Sequence, residues 1–163
     1  HGPRLRVRIA SRGLLARDVV GQSGERPRRL RAHRPLPPGV RFVVLALCAV
    51  GLYVSIAMQR KAILARRGAL PEASVVQTAR ATIIGRVPNS AIGIAYYALI
   101  AAAAFALSVP AVRIAALVAA AAAAAMSLYL AYSLLFVTRM PCANCWTGHV
   151  VNWALLAILL LER

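Results

Sequence analysis

The apolar residues of this chain are gathered into four long runs, at residues 42–58, 91–109, 114–137 and 146–161. None of the runs contains Asp, Glu, Lys or Arg, and their lengths are 17, 19, 24 and 16 residues. An α-helix rises about 1.5 Å per residue, so about 20 apolar residues cross the roughly 30 Å hydrocarbon core of a bilayer. The pattern therefore predicts an all-α fold, an integral membrane four-helix bundle in which the last helix is the shortest.

The segments outside the runs are charged or rich in proline. Residues 1–40 carry Arg, Gly and Pro without a sustained period, which predicts a basic, disordered N-terminal tail. Residues 59–90 are too charged to span a membrane. Within them, the stretch at 63–70 predicts a short interfacial helix in the first outer loop, with its basic residues at the depth of the lipid headgroups. The membrane domain then covers residues 41–163.

The charge balance narrows the class of partner. The chain is 61 % hydrophobic and carries 20 Lys and Arg against 4 Asp and Glu, and eleven of the arginines lie in residues 1–41. No aromatic residues are interleaved with these arginines, so we expect no nucleic-acid partner. The basic tail could instead bind the anionic headgroups of membrane lipids, or act as the signal that fixes membrane topology.

The same charges predict an orientation. Four spans place both termini on one side, and with the termini inside, the inner side carries thirteen Lys and Arg and the outer side seven. Because positive residues are enriched on the cytoplasmic side, we expect cytoplasmic termini, although the first outer loop is unusually basic. The connection between the third and fourth runs then lies on the outer face.

That connection contains two of the three cysteines, Cys142 and Cys145. Their spacing suits a redox disulfide, because the start of a helix stabilises a thiolate and makes it reactive in disulfide exchange. A structural zinc site needs about four ligands, and only His149 and Asn144 lie near the pair, so we expect no metal. Covalent attachment of haem needs the motif Cys-x-x-Cys-His, and the residue after Cys145 is Trp146, so the sequence excludes a haem attachment site. The alternative interpretation, that the two cysteines are an inert pair of buried thiols, is not excluded by the sequence.

A two-electron disulfide at a membrane bundle calls for a lipid-soluble electron carrier. A quinone needs an apolar cavity and a few polar groups that bind its carbonyl oxygens. Asn89 lies at the start of the second run, while His149 and Asn152 lie one helical turn apart in the fourth. We therefore predict that Asn89, His149 and Asn152 bind the quinone. A helix cap remains the alternative for Asn89, and an interhelical hydrogen bond for Asn152.

Three stretches of the sequence resemble the vitamin K epoxide reductase family of membrane thiol oxidoreductases. PCANCWTGHVVN, at 141–152, resembles the redox motif of the family, with its Cys-x-x-Cys, its His or Tyr, and an Asn three residues later. IIGRVPNSAIGIAYY, at 83–97, resembles the segment that opens the second helix, and RFVVLALCAVGLYVSIA, at 41–57, resembles the first helix. The resemblance runs from about residue 41 to the end.

The resemblance implies a four-helix bundle around a quinone of the ubiquinone or menaquinone (vitamin K) type. Cys142 and Cys145 would exchange electrons with it, and Asn89 and His149 would contact its oxygens. Cys145, which is nearer the helix body, would contact the quinone, while Cys142 would face the incoming thiol. Bacterial relatives oxidise a thioredoxin-like partner, and animal relatives reduce vitamin K epoxide. The abundance of Arg and Ala favours a bacterial plasma membrane.

The sequence departs from the family in its first outer loop. Relatives usually carry a second cysteine pair there, whereas residues 59–90 contain no cysteine. A partner could attack Cys142 directly, or a separate protein could supply the shuttle thiols. We expect one of these two routes, and hence an enzyme. The alternative is a non-catalytic relative that serves as a membrane scaffold or a quinone-binding subunit.

Overall fold

The computed structural model describes residues 37–70, 74–84 and 87–162, without the side chains of 83 and 84. The predicted tail at 1–40 lies outside the described residues, apart from its last four positions. The boundary between that tail and the membrane domain therefore stays a prediction.

Each of the four apolar runs forms a helix. The helices are α1 (Pro38–Arg66), α2 (Asn89–Ala103), α3 (Pro110–Tyr132) and α4 (Ala143–Leu161). A π-helical turn, Ser133–Thr138, continues α3. By length and composition, α1, α4 and α3 with its π-helical turn are each able to cross a membrane, whereas α2 is a shorter apolar helix of 15 residues. The second run is thus helical over less of its length than the sequence predicts.

No separate interfacial helix forms at 63–70, which corrects that prediction. Instead α1 continues without interruption to Arg66, and Gly68 ends it with a positive φ of 67°. The segment between the apolar run and Arg66 lacks Gly and Pro. Extending an existing helix by such residues adds hydrogen bonds without a new nucleation step, so the continuous helix is favoured over a second one.

The loop between α1 and α2 contains only short elements, and some of them are not helical. It contains two short 3₁₀ turns, Val75–Gln77 and Ala79–Ala81. An antiparallel pair of short strands follows, β1 (Thr82–Ile84) and β2 (Val87–Pro88). The prediction of an all-α fold is therefore right for the bundle and wrong for this small hairpin.

The four helices alternate in direction, and their contacts are unequal. α1 packs against both α2 and α4, and α3 packs against α4, whereas α2 and α3 contact each other sparsely. The alternation brings together the end of α1, the start of α2, the end of α3 and the start of α4. We call this the cysteine end of the bundle, because Cys142 immediately precedes α4 there.

Small residues allow the helices to approach closely. Along α3 the buried positions recur every three or four residues, which forms one narrow face toward the bundle. They are Ala116, Ala120, Ala124, Ser127 and Ala131. Between α1 and α2, Gly51 lies against the ring of Tyr97, and Gly93 lies against Ser55.

Gly51 provides a direct test of this packing. A Cβ atom at Gly51 would lie 2.3 Å from two ring atoms of Tyr97, and that ring is buried and hydrogen-bonded to α4. Gly51→Ala should therefore destabilise the protein by about 1–3 kcal/mol, the usual cost of overpacking. Gly39→Ala is the matched control, because a Cβ there meets nothing within 4 Å. Equal thermal midpoints for the two variants in detergent would contradict the packing described.

Candidate redox site

The cysteine pair is built by the first turn of α4. Cys142 is the N-cap residue, with an extended backbone (φ −143°, ψ 92°), and its Sγ accepts a hydrogen bond from the backbone N–H of Cys145 at 3.2 Å. This geometry brings the two Cα atoms to 5.2 Å, and the two residues form a disulfide. Both cysteines are half-buried. The first turn of α4 thus holds the two sulfurs together at the cysteine end of the bundle.

A large cavity lies inside the bundle below the disulfide. Its volume is about 730 Å³, and side chains from all four helices and from the α1–α2 loop line it. Cys145 is among the lining residues and Cys142 is not. The two sulfurs therefore face different surroundings, although they are bonded to each other.

The predicted quinone-binding residues converge on this cavity. Asn89 reaches it from the start of α2, and His149 and Asn152 reach it from one face of α4. Residues 89 and 149 are far apart in sequence, so their meeting depends on the packing of α2 beside α1 and of α1 beside α4. Together with Cys145, all three candidates line one space.

His149 offers polar atoms to the cavity. Its side chain is only 7 % exposed, and its ring lies edge-on to Trp146 and near Trp153, with centroid separations of 5.9 and 6.3 Å. Among the described residues, none forms a hydrogen bond with the imidazole. The two indoles fix the orientation of the ring while its nitrogens keep their hydrogen-bonding capacity.

Asn152 joins three helices. Its Oδ1 accepts a hydrogen bond from the Tyr97 hydroxyl at 2.8 Å, and its Nδ2 donates to Ser127 Oγ at 2.7 Å. The interhelical bond that the sequence left open for Asn152 is therefore present. Sequence reasoning assigned no role to Tyr97 or Ser127. Both residues could have been found from the sequence, because each carries a hydroxyl group inside an apolar run. A polar group within a membrane needs a hydrogen-bond partner.

Asn89 is tied to the loop rather than to its own helix. The N-cap of α2 is Pro88, and Asn89 makes no capping bond; its Nδ2 donates to the backbone oxygen of Arg80 at 2.9 Å. Its Oδ1 is buried and accepts no hydrogen bond from the described residues. An amide flip would set Oδ1 against the Arg80 carbonyl, two acceptors facing each other, so the assigned orientation is favoured.

Two further residues that line the cavity have buried polar atoms without partners among the described residues. They are the hydroxyl groups of Tyr96 on α2 and Ser133 at the end of α3. Buried hydroxyl groups are normally hydrogen-bonded, so unpaired ones beside a cavity indicate a place for a polar ligand atom or water. Neither residue was predicted from the sequence.

The α1–α2 loop covers the cavity at the cysteine end. Residues from its 3₁₀ turns line the cavity, and Arg80 connects the loop to α3. The Arg80 guanidinium donates from Nη1 to the Tyr129 hydroxyl at 2.9 Å and lies 5.4 Å from the centroid of that ring. One loop residue thus contacts α2 through its backbone and α3 through its side chain, across the pair of helices that scarcely touch.

The described part of the chain holds no group of three or more His, Cys, Asp and Glu side chains that could bind a metal ion.

A disulfide at the start of a long apolar helix, beside a mainly apolar cavity with polar and a few cationic side chains, fits a membrane thiol oxidoreductase. A model of the vitamin K epoxide reductase family matches residues 42–160, most of the chain. The chain therefore belongs to that family, as the resemblance predicted. Among curated proteins, none matches the chain. Members of the family are membrane thiol–disulfide oxidoreductases that generally act with quinones and thioredoxin-like partners.

The contact between Arg80 and Tyr129 can be tested by removing one oxygen. Tyr129→Phe deletes the acceptor and keeps the aromatic ring. Trypsin should then cleave the α1–α2 loop about threefold faster, which corresponds to about 0.7 kcal/mol, the lower part of the range for one hydrogen bond. Tyr132→Phe is the matched control, because that ring packs on Phe136 instead. If both variants are cleaved at the same rate, the bond does not hold the loop.

Proposed function

We propose that the chain passes electrons from a thioredoxin-like dithiol partner to a membrane quinone through Cys142 and Cys145. One observation carries the proposal: Cys145, half of a disulfide, lines the same cavity as Asn89 and His149. The volume of about 730 Å³ lies within the range of roughly 300–1,000 Å³ that small-molecule sites occupy. The mainly apolar lining with a few polar groups also fits a quinone ring.

The first half of the reaction is thiol–disulfide exchange. A thiolate of the partner attacks Cys142 Sγ, the bond between Cys142 and Cys145 breaks, and its electron pair leaves with Cys145 as a thiolate. The second thiol of the partner, once deprotonated, attacks the mixed disulfide and releases Cys142. The partner has then lost two electrons, and the chain holds two reduced cysteines.

The second half returns the pair to the disulfide. A bound quinone supplies the acceptor for two electrons and two protons, and becomes the hydroquinone. Cys145 is the cysteine that faces the cavity, so it is the sulfur that delivers electrons there, and Cys142 then closes the disulfide. The start of α4 supports both steps, because the backbone N–H of Cys145 donates toward the Cys142 sulfur.

The polar groups of the cavity divide into two roles. His149 is held by two indoles and has no hydrogen bond among the described residues, so it is the candidate donor to a quinone oxygen. Asn89 contributes the second contact, with its side chain oriented by the Arg80 carbonyl. Asn152 is bonded to Tyr97 and Ser127, so its part in quinone binding is to fix the wall beside His149.

The absence of loop cysteines directs the partner to Cys142. Residues 59–90 contain no cysteine, so no internal shuttle carries electrons across the loop. Cys142 is half-buried and does not line the cavity, which leaves it accessible from outside the bundle. Direct attack at Cys142 therefore needs no extra thiol.

The proposed membrane placement rests on the helices and on the Lys and Arg bias of the sequence. We infer that α2 crosses the membrane together with α1, α3 and α4, since the turn at 104–109 and the loop residues extend its 15 helical residues. With the side richer in Lys and Arg inside, the termini lie in the cytoplasm and the cysteine end lies on the outer face of a bacterial plasma membrane. Disulfides persist outside the cytosol, which agrees with this orientation.

A second candidate function rests on the missing loop cysteines. A relative that has lost its redox cycle would keep the cavity and serve as a membrane scaffold or a quinone-binding subunit. Cys142 and Cys145 would then be permanently free thiols, and the cavity would be a structural remnant. This candidate is distinguished from the enzyme by chemistry at the cysteines.

Loss of Cys145 should abolish electron transfer. Cys145→Ser in lipid nanodiscs should lower reduction of a short-chain ubiquinone analogue by dithiothreitol at least a hundredfold, because no disulfide can form. Cys48→Ser is the matched control, since Cys48 is a free, buried cysteine that does not line the cavity. Unchanged turnover in Cys145→Ser would remove the assignment.

Thiol counting separates the enzyme from the scaffold in the unaltered protein. Alkylation under denaturing conditions should label one cysteine before reduction and three after it, and added quinone should restore the first count. Three labelled cysteines in both cases, with no effect of quinone, would favour the scaffold.

Removal of the imidazole should weaken quinone binding. His149→Ala should raise the KM for the quinone analogue about tenfold, which corresponds to about 1.4 kcal/mol, and leave the reduction of the disulfide by dithiothreitol without quinone unchanged. Val150→Ala is the neighbouring control, because Val150 is exposed on the other face of α4. A KM equal to that of the control would exclude His149 as a quinone ligand.

A further inference from the structure

Helix α3, which is described over its whole length, contributes one hydrogen-bond donor side chain to the wall of the cavity, Ser127. The other residues of α3 that line the cavity are Ala119, Ala122, Ala123, Met126 and Leu130. The side chain of Ser127 is 3 % exposed, so its hydroxyl group has almost no contact with bulk water. Since buried hydroxyl groups are normally hydrogen-bonded, the bonds that Ser127 already makes decide what it can offer to a ligand.

The hydrogen bonds that connect Tyr97, Asn152 and Ser127 run in one direction. The Tyr97 hydroxyl donates to Asn152 Oδ1 at 2.8 Å, and Asn152 Nδ2 donates to Ser127 Oγ at 2.7 Å. Ser127 is thus the acceptor at the end of the chain of bonds, and its own hydroxyl hydrogen has no acceptor among the described residues. A donor is therefore left over at the wall of the cavity.

The amide of Asn152, unlike that of Asn89, has a second complete arrangement. If its oxygen and nitrogen are exchanged, Ser127 donates to Oδ1 and Nδ2 donates to the Tyr97 oxygen. The Tyr97 hydroxyl must then donate to the backbone oxygen of Gly148 at 3.3 Å, which is longer than a usual bond between two oxygens. A carbonyl oxygen in the cavity gives the Ser127 hydrogen an acceptor only in the first arrangement, so a bound quinone favours that one.

Ser127 lies beside the part of the cavity that His149 occupies. Asn152 follows His149 by one helical turn on the same face of α4, and side chains with this spacing have Cβ atoms about 5–6 Å apart. Ser127 Oγ is 2.7 Å from the amide of that Asn152, and all three residues line the cavity. Because a carbonyl oxygen has two lone pairs, one quinone oxygen in this region can accept hydrogen bonds from both His149 and Ser127.

We propose that Ser127 is a further quinone ligand, which donates its hydroxyl hydrogen to the carbonyl oxygen that His149 contacts. The inference rests on the proposed function and adds a ligand from α3 to those from α2 and α4. Asn152 is the positioning residue, because its amide occupies a lone pair of Ser127 Oγ and leaves the hydroxyl hydrogen for the ligand.

Binding can be measured on the full chain in lipid nanodiscs with Cys142 and Cys145 kept as the disulfide, so that no electrons pass to the quinone. The probe is duroquinone, and its binding is followed by quenching of the two tryptophans of the chain, which both lie beside His149. Durene has the same methylated ring without the oxygens, and its binding is measured by competition with duroquinone.

Removal of the Ser127 hydroxyl group should affect only the ligand that has carbonyl oxygens. Ser127→Ala should weaken the binding of duroquinone about fivefold, the effect of one hydrogen bond, and change the binding of durene by less than about twofold. Retained binding of durene also shows that the variant is folded. Ser108→Ala is the matched control, because Ser108 is exposed and does not line the cavity, and it should change neither affinity.

Infrared difference spectra of bound duroquinone separate a direct bond from a change in cavity shape. A hydrogen bond lowers the stretching frequency of a carbonyl group, so Ser127→Ala should raise the frequency of one carbonyl band and leave the other in place. Unchanged bands, or an equal loss of affinity for duroquinone and durene, would overturn Ser127 as a ligand and leave the proposed function intact. Failure of the unaltered protein to bind duroquinone would overturn the proposed function, and Ser127 as a ligand with it.

Discussion

The hydrogen bonds from Tyr97 to Asn152 and from Asn152 to Ser127 hold the bundle together where it is most open. Direct contact between α2 and α3 is sparse, so their separation is fixed through α4, whose Asn152 reaches both. Polar groups inside a bilayer have no water to bond with. Leaving these groups without a hydrogen bond would therefore cost stability. Gly51 completes the constraint, because it leaves the room that the Tyr97 ring needs.

The chemistry of the site depends on that open interior. If α2 and α3 packed as closely as α3 and α4, their side chains would fill the space below the disulfide. Instead a cavity of about 730 Å³ remains, and the first turn of α4 places Cys145 at its edge and Cys142 outside it. This arrangement, with Cys145 beside the cavity and Cys142 away from it, is what supports the proposed transfer of electrons from a dithiol partner to a quinone.

Sequence reasoning predicted the helices and named several residues that line the cavity, for reasons that are local. Apolar runs must form helices in a membrane, and a Cys-x-x-Cys before such a run is brought together by one helical turn. His149 and Asn152 share a face because they are one turn apart. The predicted interfacial helix was wrong because charge marks where α1 leaves the membrane, not where it stops being helical; Gly68 stops it.

The sequence by itself determined the four helices, the family, and the cysteine pair with its neighbours on α4, since each follows from residues a few positions apart. Only the tertiary structure decided that Asn89 bonds to Arg80, that Arg80 reaches Tyr129, and that Tyr97 pairs with Asn152. These contacts join residues 9, 49 and 55 positions apart, and they depend on how far apart packing holds the helices. That spacing is a property of the whole bundle, so no single stretch of sequence contains it.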